Sequence, residues 1–352
     1  MNKTVKNILK SLLFLIVGSV ILYIVYIRNQ NAYLAECALN NIPEDQCNLL
    51  DKITDDIRGA NYSWVVLALI IYMVSNVLRA LRWNMLLQPL GYTPRFFNSF
   101  GAIMVGYLAN LGIPRSGEFV RAGLLAKYED YEAEKVMGTI VTDRILDFIC
   151  LLIIVGLALI LSFNDFVNYF SSNDTSLNSF KALLSPFYLG LTAIVGISSL
   201  VVIWKLRSRI FNTKIGLKIK NILLGFWQGI MTIFKLKNPF LFIIYSFGIW
   251  ACYYLMTYIM FFSFEPTAHL DAVTGLVTFV FGTLGIVIPT PGGMGSYQYL
   301  ISEALGLYGI ASSDAFSFAN ILFFSVQLFC NIFLGIITLV VLPIFNANGQ
   351  EK

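Results

Sequence analysis

The residues best suited to chemistry lie where an apolar stretch of the chain is broken. The segment from Gly106 to Arg121 contains Pro114, then Arg115, Glu118 and Arg121 at helical spacing. Arginine binds phosphate or carboxylate groups through two parallel hydrogen bonds. Backbone without helical hydrogen bonds is tolerated inside a membrane only where it is buried in protein or lines a water-filled cavity. We therefore predict a re-entrant hairpin that presents charged residues to an anion.

A second charged group lies in the long apolar segment that follows. Asp143 and Asp147 are four residues apart on one helical face, with Arg144 beside them. If the helix starts near Lys135, Asp147 lies about 18 Å along it, well inside the hydrocarbon. Ionisable groups at this depth usually face a cavity and mark an ion or substrate path. The alternative, a buried ion network that only braces the hairpin, stays open.

A Gly- and Pro-rich segment, residues 282–295, is the counterpart of the first break in the other half of the chain. Aligning Pro114 with Pro289 also places Gly117 on Gly292. Glycines permit positive φ and close backbone approach, so amide groups and the N-terminus of a half-helix could meet an anion. The second half is expected to supply a neutral, glycine-rich wall of the site, with Gly292, Gly293 and Gly295. Its polar residues are Thr290, Ser296, Gln298, Glu303, Gln327 and Asn331.

Two arginines lie near the end of the apolar segment from Tyr62 to Leu87. Arg79 and Arg82 are three residues apart and share a helical face. One interpretation, favoured for Arg79, is that they snorkel to the cytoplasmic headgroups. The other, for which Arg82 is a candidate, is that they hold an anionic headgroup at the mouth of a lipid pathway.

The composition is that of a polytopic membrane protein. Hydrophobic residues make up 57% of the 352 residues and charged residues only 12%, with a mean hydropathy of +0.74. These values exclude an ordinary soluble protein. The single histidine, His269, excludes a His-rich metal site or a His-based catalytic pair. We expect no metal, no cofactor and no nucleic-acid partner.

The apolar segments predict an all-α fold of six transmembrane helices and two re-entrant hairpins. The positive-inside rule places both termini in the cytoplasm. The order span, hairpin, span occurs twice with opposite sidedness, which is an inverted-topology repeat. The predicted parts are a signal-anchor helix (11–27) and external loop within 1–61, a first repeat (62–162), a connecting helix and basic cytoplasmic amphipathic segment (163–238), a second repeat (239–345) and a cytoplasmic tail (346–352).

Two cysteines, Cys37 and Cys47, fall in the loop predicted to be external. An oxidising exterior would permit them to form a disulfide. Their spacing alone does not decide whether they do.

Taken together, three motifs resemble the lysylphosphatidylglycerol synthase transmembrane-region family, over about residues 62–345. They are Pro114-Arg115-x-Gly117-Glu118-x-x-Arg121, Asp143-Arg144-x-x-Asp147 and Pro289-x-Pro291-Gly292-Gly293-x-Gly295. The resemblance implies a lipid flippase-like module whose motif residues line a path between leaflets. Many members have an acid just after the last glycine, where this chain has Tyr297 and Gln298. The synthase domain of the fused family members has no counterpart in this sequence, so we expect no enzyme activity.

We therefore expect a flippase or scramblase for a lipid with a polar, phosphate-bearing headgroup, in a bacterial or archaeal cytoplasmic membrane. Carboxylates beside arginines suit proton coupling as well, and the sequence leaves coupling and homodimerisation open. A secondary transporter for a small soluble anion would fit the same hairpins. A membrane-embedded lipid transferase is a further alternative, with Asp143 or Asp147 as base.

Overall fold

The computed structural model describes residues 3–163, 224, 227, 231–288 and 290–347. Within these residues every regular element is a helix. A π-helical segment, Phe323–Cys330, joins the last two α-helices into one long element. The α-helices are α1 (Lys3–Leu39), α2 (Leu49–Gly59), α3 (Tyr62–Leu87), α4 (Phe96–Gly112), α5 (Gly117–Glu129), α6 (Ala133–Leu161), α7 (Pro239–Met260), α8 (Ala272–Val287), α9 (Ser296–Gly306), α10 (Ser312–Leu322) and α11 (Asn331–Ala347).

Short polar side chains define where four of these helices begin. A side-chain oxygen that accepts a hydrogen bond from a first-turn amide satisfies a donor that the helix itself leaves free. Asn48 caps α2 and Asn61 caps α3 in this way, while Asn238 caps α7 and Asp271 caps α8. The sequence therefore marks the starts of these helices locally, before any packing is considered.

Four helices are long and apolar enough to cross a membrane: Tyr62–Leu90, Ala133–Leu161, Pro239–Ser263 and Ser312–Ala347. The protein is thus an all-helical, multi-pass membrane protein. Of the two other predicted spans, residues 11–27 fall within α1. The predicted connecting helix and most of the basic segment lie outside the described residues. The count of six spans stays a prediction.

Helix α1 continues well past residue 27, where the predicted external loop should begin. An ion pair from Arg28 Nη2 to Glu303 Oε1 (2.8 Å) holds its continuation against α9. Near the end of α1, Cys37 is disulfide-bonded to Cys47, so the pairing that the sequence left open is present. The predicted loop is therefore mostly helical, because its polar residues have partners on the rest of the protein.

Helix α2 is tied to α10 by a lysine. Lys52 Nζ lies 2.7 Å from Asp314 Oδ1 and 3.0 Å from Asp56 Oδ2. Burial lowers the pKa of Lys52, but the hydrogen bonds to the two carboxylates outweigh it and raise the pKa above its ordinary value. The stabilisation by these pairs is therefore fully present at neutral pH, and it is lost only as the pH rises through the raised pKa of Lys52.

The first predicted break is a helical hairpin, which we call the first hairpin: α4, a turn at residues 113–116, and α5. Gly117 N donates a hydrogen bond to Asn110 Oδ1 at 2.7 Å. A Cβ added to Gly117 would overlap the carbonyl oxygen of Gly106. The two helices approach this closely only because both positions are glycine. Whether the hairpin re-enters the membrane stays a prediction.

The second break also separates two packed helices, α8 and α9, which form the second hairpin. Ser296 Oγ donates to the carbonyl oxygen of Gly285 at 2.7 Å. The contact of Gly285 with Ser296 corresponds to that of Gly106 with Gly117 in the first hairpin. By contacts, Gly117 therefore matches Ser296, which is four residues beyond the Gly292 that the proline alignment selects.

The first helices of the two predicted repeats, α3 and α7, pack together and run antiparallel. At one end Asn61 N, just before α3, donates to Ser263 O, just after α7, at 2.8 Å. Nearer the other end Arg82 Nη1 donates to Ser246 Oγ at 3.3 Å. Two contacts at opposite ends of the pair require opposite chain directions.

Each hairpin also packs its first helix on the last helix of the other half. Helix α4 lies antiparallel on α11, where the side-chain amides of Asn98 and Asn346 exchange hydrogen bonds of 2.9 and 2.8 Å. Helix α8 packs against α6 in a cluster that includes Leu151 and Val277. The two halves therefore interlock rather than stand side by side.

Candidate functional site: a buried arginine and aspartate cluster

Helix α6 turns its two aspartates toward α3, where each meets an arginine. Asp143 Oδ1 lies 2.6 Å from Arg82 Nη2, and Asp147 Oδ1 lies 2.7 Å from the same nitrogen. Asp147 Oδ2 also lies 2.8 Å from Arg79 Nη1. The spacing of four residues puts both carboxylates on one face of α6, as the sequence predicts. Packing then places that face against the matching arginine face of α3.

The fifth member of this cluster, Arg121, comes from the first hairpin. Its guanidinium carbon lies 3.7 Å from the centre of the Trp83 ring, and its Nη1 lies 3.3 Å from Asp143 Oδ2. Trp83 is held in turn by a 3.0 Å hydrogen bond from its Nε1 to Thr139 Oγ1. Arg121 is only 3% exposed, yet its Nε and Nη2 have no hydrogen-bond partner among the described residues. We call Arg79, Arg82, Arg121, Asp143 and Asp147 the arginine–aspartate cluster.

A half-exposed ion pair lies at the edge of this cluster. Arg144 Nε is 2.8 Å from Glu118 Oε1, and Arg144 Nη1 is 3.7 Å from Asp147 Oδ2. The side chains of Arg144 and Glu118 are 40% and 33% exposed, whereas that of Asp143 is fully buried. The charged residues therefore extend from a buried centre, at Asp143, to an accessible rim, at Arg144 and Glu118.

The arginine–aspartate cluster carries an excess of positive charge. Three buried arginines face two aspartates, and the rim pair of Arg144 with Glu118 is neutral as a whole. A buried charge without a counter-charge is costly. The interpretation that Arg79 snorkels to the headgroups is wrong, because its side chain is 5% exposed and is paired with Asp147.

Arg115, another predicted site residue, lies outside the cluster at the tip of the first hairpin. It has a positive φ of 62°, a conformation that non-glycine residues rarely adopt. Its Nη2 donates to the carbonyl oxygen of Val287, the last residue of α8, at 3.3 Å. Arg115 therefore joins the two hairpin tips and is not brought to the residues that hold Asp143.

The glycines of the predicted neutral wall have the positive φ values expected for them, but they do not lie beside the arginines. Gly292, Gly293 and Gly295 have φ values of 60°, 85° and 82°. A Cβ on Gly292 would lie 2.6 Å from Leu111 Cδ2 of the first hairpin, and one on Gly295 would lie 2.8 Å from the backbone nitrogen of Leu22 in α1. The structure thus packs Gly292 against α4 and Gly295 against α1, while Gly293 lies against Ile286 of α8. It does not bring the glycines to the arginines.

Gln298 does not face the charged residues as expected, and instead bonds to the turn of the second hairpin. Its Oε1 accepts a hydrogen bond from Gly295 N at 2.8 Å, which caps the start of α9. Nearby, Thr290 Oγ1 and Ser296 Oγ lie 3.1 Å apart. These polar groups stabilise the turn of the second hairpin.

Neutral polar residues next to the cluster form a set that we call the amide seam: Tyr72, Asn76, Gln327 and Asn331. Sequence reasoning named Gln327 and Asn331 on the neutral wall, but it missed Tyr72 and Asn76. Tyr72 OH donates to Asn331 Oδ1 at 2.6 Å, linking α3 to the start of α11. Asn331 Nδ2 donates to Gln327 Oε1 at 3.1 Å. The available signal was their spacing, because Tyr72, Asn76 and Arg79 recur at four and three residues along one face of an apolar helix.

The fold and the site define the class of protein. Four membrane-length helices pack with two helical hairpins, and arginine and aspartate side chains are buried between α3, α5 and α6. Among the described residues, no three His, Cys, Asp or Glu side chains form a group that could hold a metal ion. This is a polytopic helical membrane protein with a buried, positively charged interior site.

The chain belongs to the lysylphosphatidylglycerol synthase transmembrane-region family, whose model matches residues 49–335. The resemblance inferred from the three motifs is therefore confirmed. The match covers all of the arginine–aspartate cluster, both hairpins and the amide seam.

The chain is also similar to archaeal proteins named UPF0104 membrane proteins. One from Methanocaldococcus jannaschii is 31% identical over 150 residues, which is 42% of each chain. One from Pyrococcus horikoshii is 25% identical over 272 residues, covering 73% of this chain and 81% of the relative. One from Methanothermobacter thermautotrophicus is 24% identical over 279 residues, covering 74% and 80%. No solved structure matches the chain.

Proposed function

We propose that this protein moves an anionic, phosphate-bearing lipid between the leaflets of a cytoplasmic membrane, as a flippase or scramblase. The observation that carries the proposal is the guanidinium of Arg121. It is buried, two of its nitrogens are unpartnered among the described residues, and it belongs to a cluster with one more positive than negative charge. A phosphate presents oxygen atoms that the planar fork of a guanidinium can bind in pairs. Its charge would also neutralise the excess.

The path to this site runs past the half-exposed pair of Arg144 and Glu118. Exposed charges at the rim would attract the headgroup, and Arg121 would bind it after it loses water. Trp83 fixes the plane of Arg121 by stacking, so little side-chain entropy is lost when the phosphate binds. The lipid tails would stay in the hydrocarbon throughout.

An inverted repeat would supply the motion. Its support is the antiparallel packing of α3 and α7, together with the reciprocal packing of α4 on α11 and of α8 on α6. Such repeats bind substrate near the midplane, between elements that rock against each other. Arg115 contacts Val287, so the two hairpin tips meet. A small movement of either tip would open or close the path between the two halves. In this arrangement both termini lie on the cytoplasmic side.

Glu118 is the proposed site of proton coupling. It is the only acid in the charged group that is a third exposed, and its partner is a single arginine. Arrival of a phosphate would compete with Glu118 for Arg144. The proposal assigns no covalent chemistry to the chain.

The decisive measurement is flipping of an acyl-labelled fluorescent phospholipid in proteoliposomes, read by quenching of the outer leaflet. Arg121→Met removes the charge and keeps the length of the side chain. We expect the rate to fall at least about tenfold, because a hydrogen bond to a charged group contributes about 1.5–3 kcal/mol. Arg58→Met is the matched control, since Arg58 on α2 has a side chain that is 77% exposed. A well-folded Arg121→Met protein that flips at the wild-type rate would remove the cluster from the mechanism.

The arginine–aspartate cluster could equally bind a small soluble anion, so the same vesicles test that alternative. Uptake of labelled inorganic phosphate or glycerol phosphate should not exceed that of protein-free vesicles. Uptake of either without lipid flipping would replace the lipid proposal by an anion transporter.

A further inference from the structure

The amide seam begins where the arginine–aspartate cluster ends. Asn76 lies one turn before Arg79 on α3, and Tyr72 one turn before Asn76, so the three side chains share a face. Tyr253 of α7 lies between the two sites. Its ring centre is 5.9 Å from the Arg79 guanidinium carbon and 6.4 Å from the Tyr72 ring centre. A group bound by the arginines would therefore reach the seam next.

The seam is buried but incompletely satisfied. Asn76 is fully buried, and its Oδ1 has no hydrogen-bond partner among the described residues. Tyr72 and Asn331 are 6% and 3% exposed. Gln327 is half-buried, so its amide lies at the accessible edge of the group. Leaving a buried acceptor unpaired is unfavourable, and a bound donor would recover that free energy.

A local distortion of the helix positions the second half of the seam. Gln327 lies in the π-helical segment Phe323–Cys330, and Asn331 follows directly. π-helical turns are rare and occur frequently at functional sites. Here the π-helical segment holds Gln327, whose amide lies 3.1 Å from that of Asn331.

Every side chain of the seam is neutral and can take part in hydrogen bonds as donor and acceptor. That chemistry fits hydroxyl groups, which also donate and accept. It does not fit an ammonium group, which needs a counter-charge when it is buried. The nearest carboxylates, Asp143 and Asp147, are already paired with arginines, and Arg79 would repel a second cation.

We propose that the amide seam is a second subsite, which binds an uncharged polyol group attached to the phosphate of the lipid. This rests on the proposed function and deepens it. The substrate class would be phospholipids with hydroxylated headgroups, such as those ending in glycerol or inositol. Lipids with amine headgroups would be disfavoured, because the amide seam offers no negative charge to pair with an ammonium group.

The test compares three acyl-labelled lipids in the same proteoliposomes: phosphatidylglycerol, phosphatidylethanolamine and phosphatidic acid, which has no headgroup beyond its phosphate. The wild type should flip phosphatidylglycerol faster than phosphatidylethanolamine. Tyr72→Phe removes one hydroxyl and keeps the shape of the side chain. We expect it to lower the phosphatidylglycerol rate about fivefold, the factor for one net hydrogen bond, and to leave the phosphatidic acid rate unchanged.

Asn331→Ala should have the same selective effect as Tyr72→Phe. Asn320→Ala is the matched control, because Asn320 is a buried asparagine on the same long element. Its Nδ2 donates to Phe316 O of its own helix. Equal wild-type rates for all three lipids, or faster flipping of phosphatidylethanolamine, would overturn the polyol subsite and leave the flippase intact. Failure to flip any of them would instead reject the proposed function.

Discussion

At the scale of single residues, the two aspartates of α6 determine the geometry of the site. Asp143 and Asp147 share Arg82, and Asp147 also holds Arg79, so the guanidinium groups of Arg79 and Arg82 are fixed by buried carboxylates. A buried pair of this kind contributes little net stability, since desolvation offsets attraction. Removing one partner is different, because the other is left as an uncompensated buried charge.

We therefore expect Asp147→Asn to lower the free energy of unfolding by about 3–5 kcal/mol, the usual cost of breaking a buried pair from one side. Thermal unfolding in detergent, followed by loss of the monodisperse gel-filtration peak, measures this. The matched control is Asp55→Asn, because Asp55 is 78% exposed and lies 3.8 Å from Arg58. The control should change stability by less than about 1 kcal/mol. Equal, small effects of both variants would contradict the buried cluster.

At the scale of helices, the hairpins depend on glycine contacts more than on their charges. Gly106 and Gly117 let α4 and α5 approach until backbone meets backbone, and Gly285 does the same for α8 against Ser296 and Tyr297. This close approach carries Arg121, one turn beyond Gly117, to Asp143. The position of the arginine is therefore a consequence of two missing side chains.

Gly117→Ala tests this dependence. Its Cβ would overlap Gly106 O and lie 2.7 Å from Asn110 Oδ1, so α5 would have to move away from α4 and withdraw Arg121. We expect flipping to fall at least about tenfold, because small misplacements at a site can cost about a hundredfold. Gly123→Ala on the same helix has nothing within 4 Å of its Cβ. It should keep activity and raise stability by up to about 1 kcal/mol through helix propensity. An active Gly117→Ala protein would show that the hairpin does not position Arg121.

At the scale of the whole molecule, the proposed transport depends on the arrangement of the two halves. The first helices of the halves are antiparallel, and each hairpin lies on the last helix of the other half. Movement of either half would therefore change the surroundings of both hairpins at once. A site between interlocked halves can face the two sides of the membrane in turn.

Membrane sidedness is measurable with two engineered cysteines in a background that lacks the three free cysteines, Cys150, Cys252 and Cys330. Thr93 lies exposed between α3 and α4, and His269 lies exposed between α7 and α8. If the halves are inverted, Thr93→Cys reacts with an impermeant maleimide only from the cytoplasmic side, and His269→Cys only from outside. Labelling of both from one side would rule out the inverted repeat and, with it, the proposed exchange between leaflets.

The sequence by itself determined the class of protein, the position of the two breaks and the shared face of the aspartates. Hydropathy, glycine and proline content, and a spacing of four residues are local properties, and they persist whatever the helix packs against. Only the tertiary structure decided which charges meet. Arg79 and Arg82 were indistinguishable from snorkelling residues until α3 was packed on α6. Arg115, in the same motif as Arg121, binds the end of α8 instead. Which residues of distant segments contact each other depends on how the helices pack, and no periodicity along the chain predicts it.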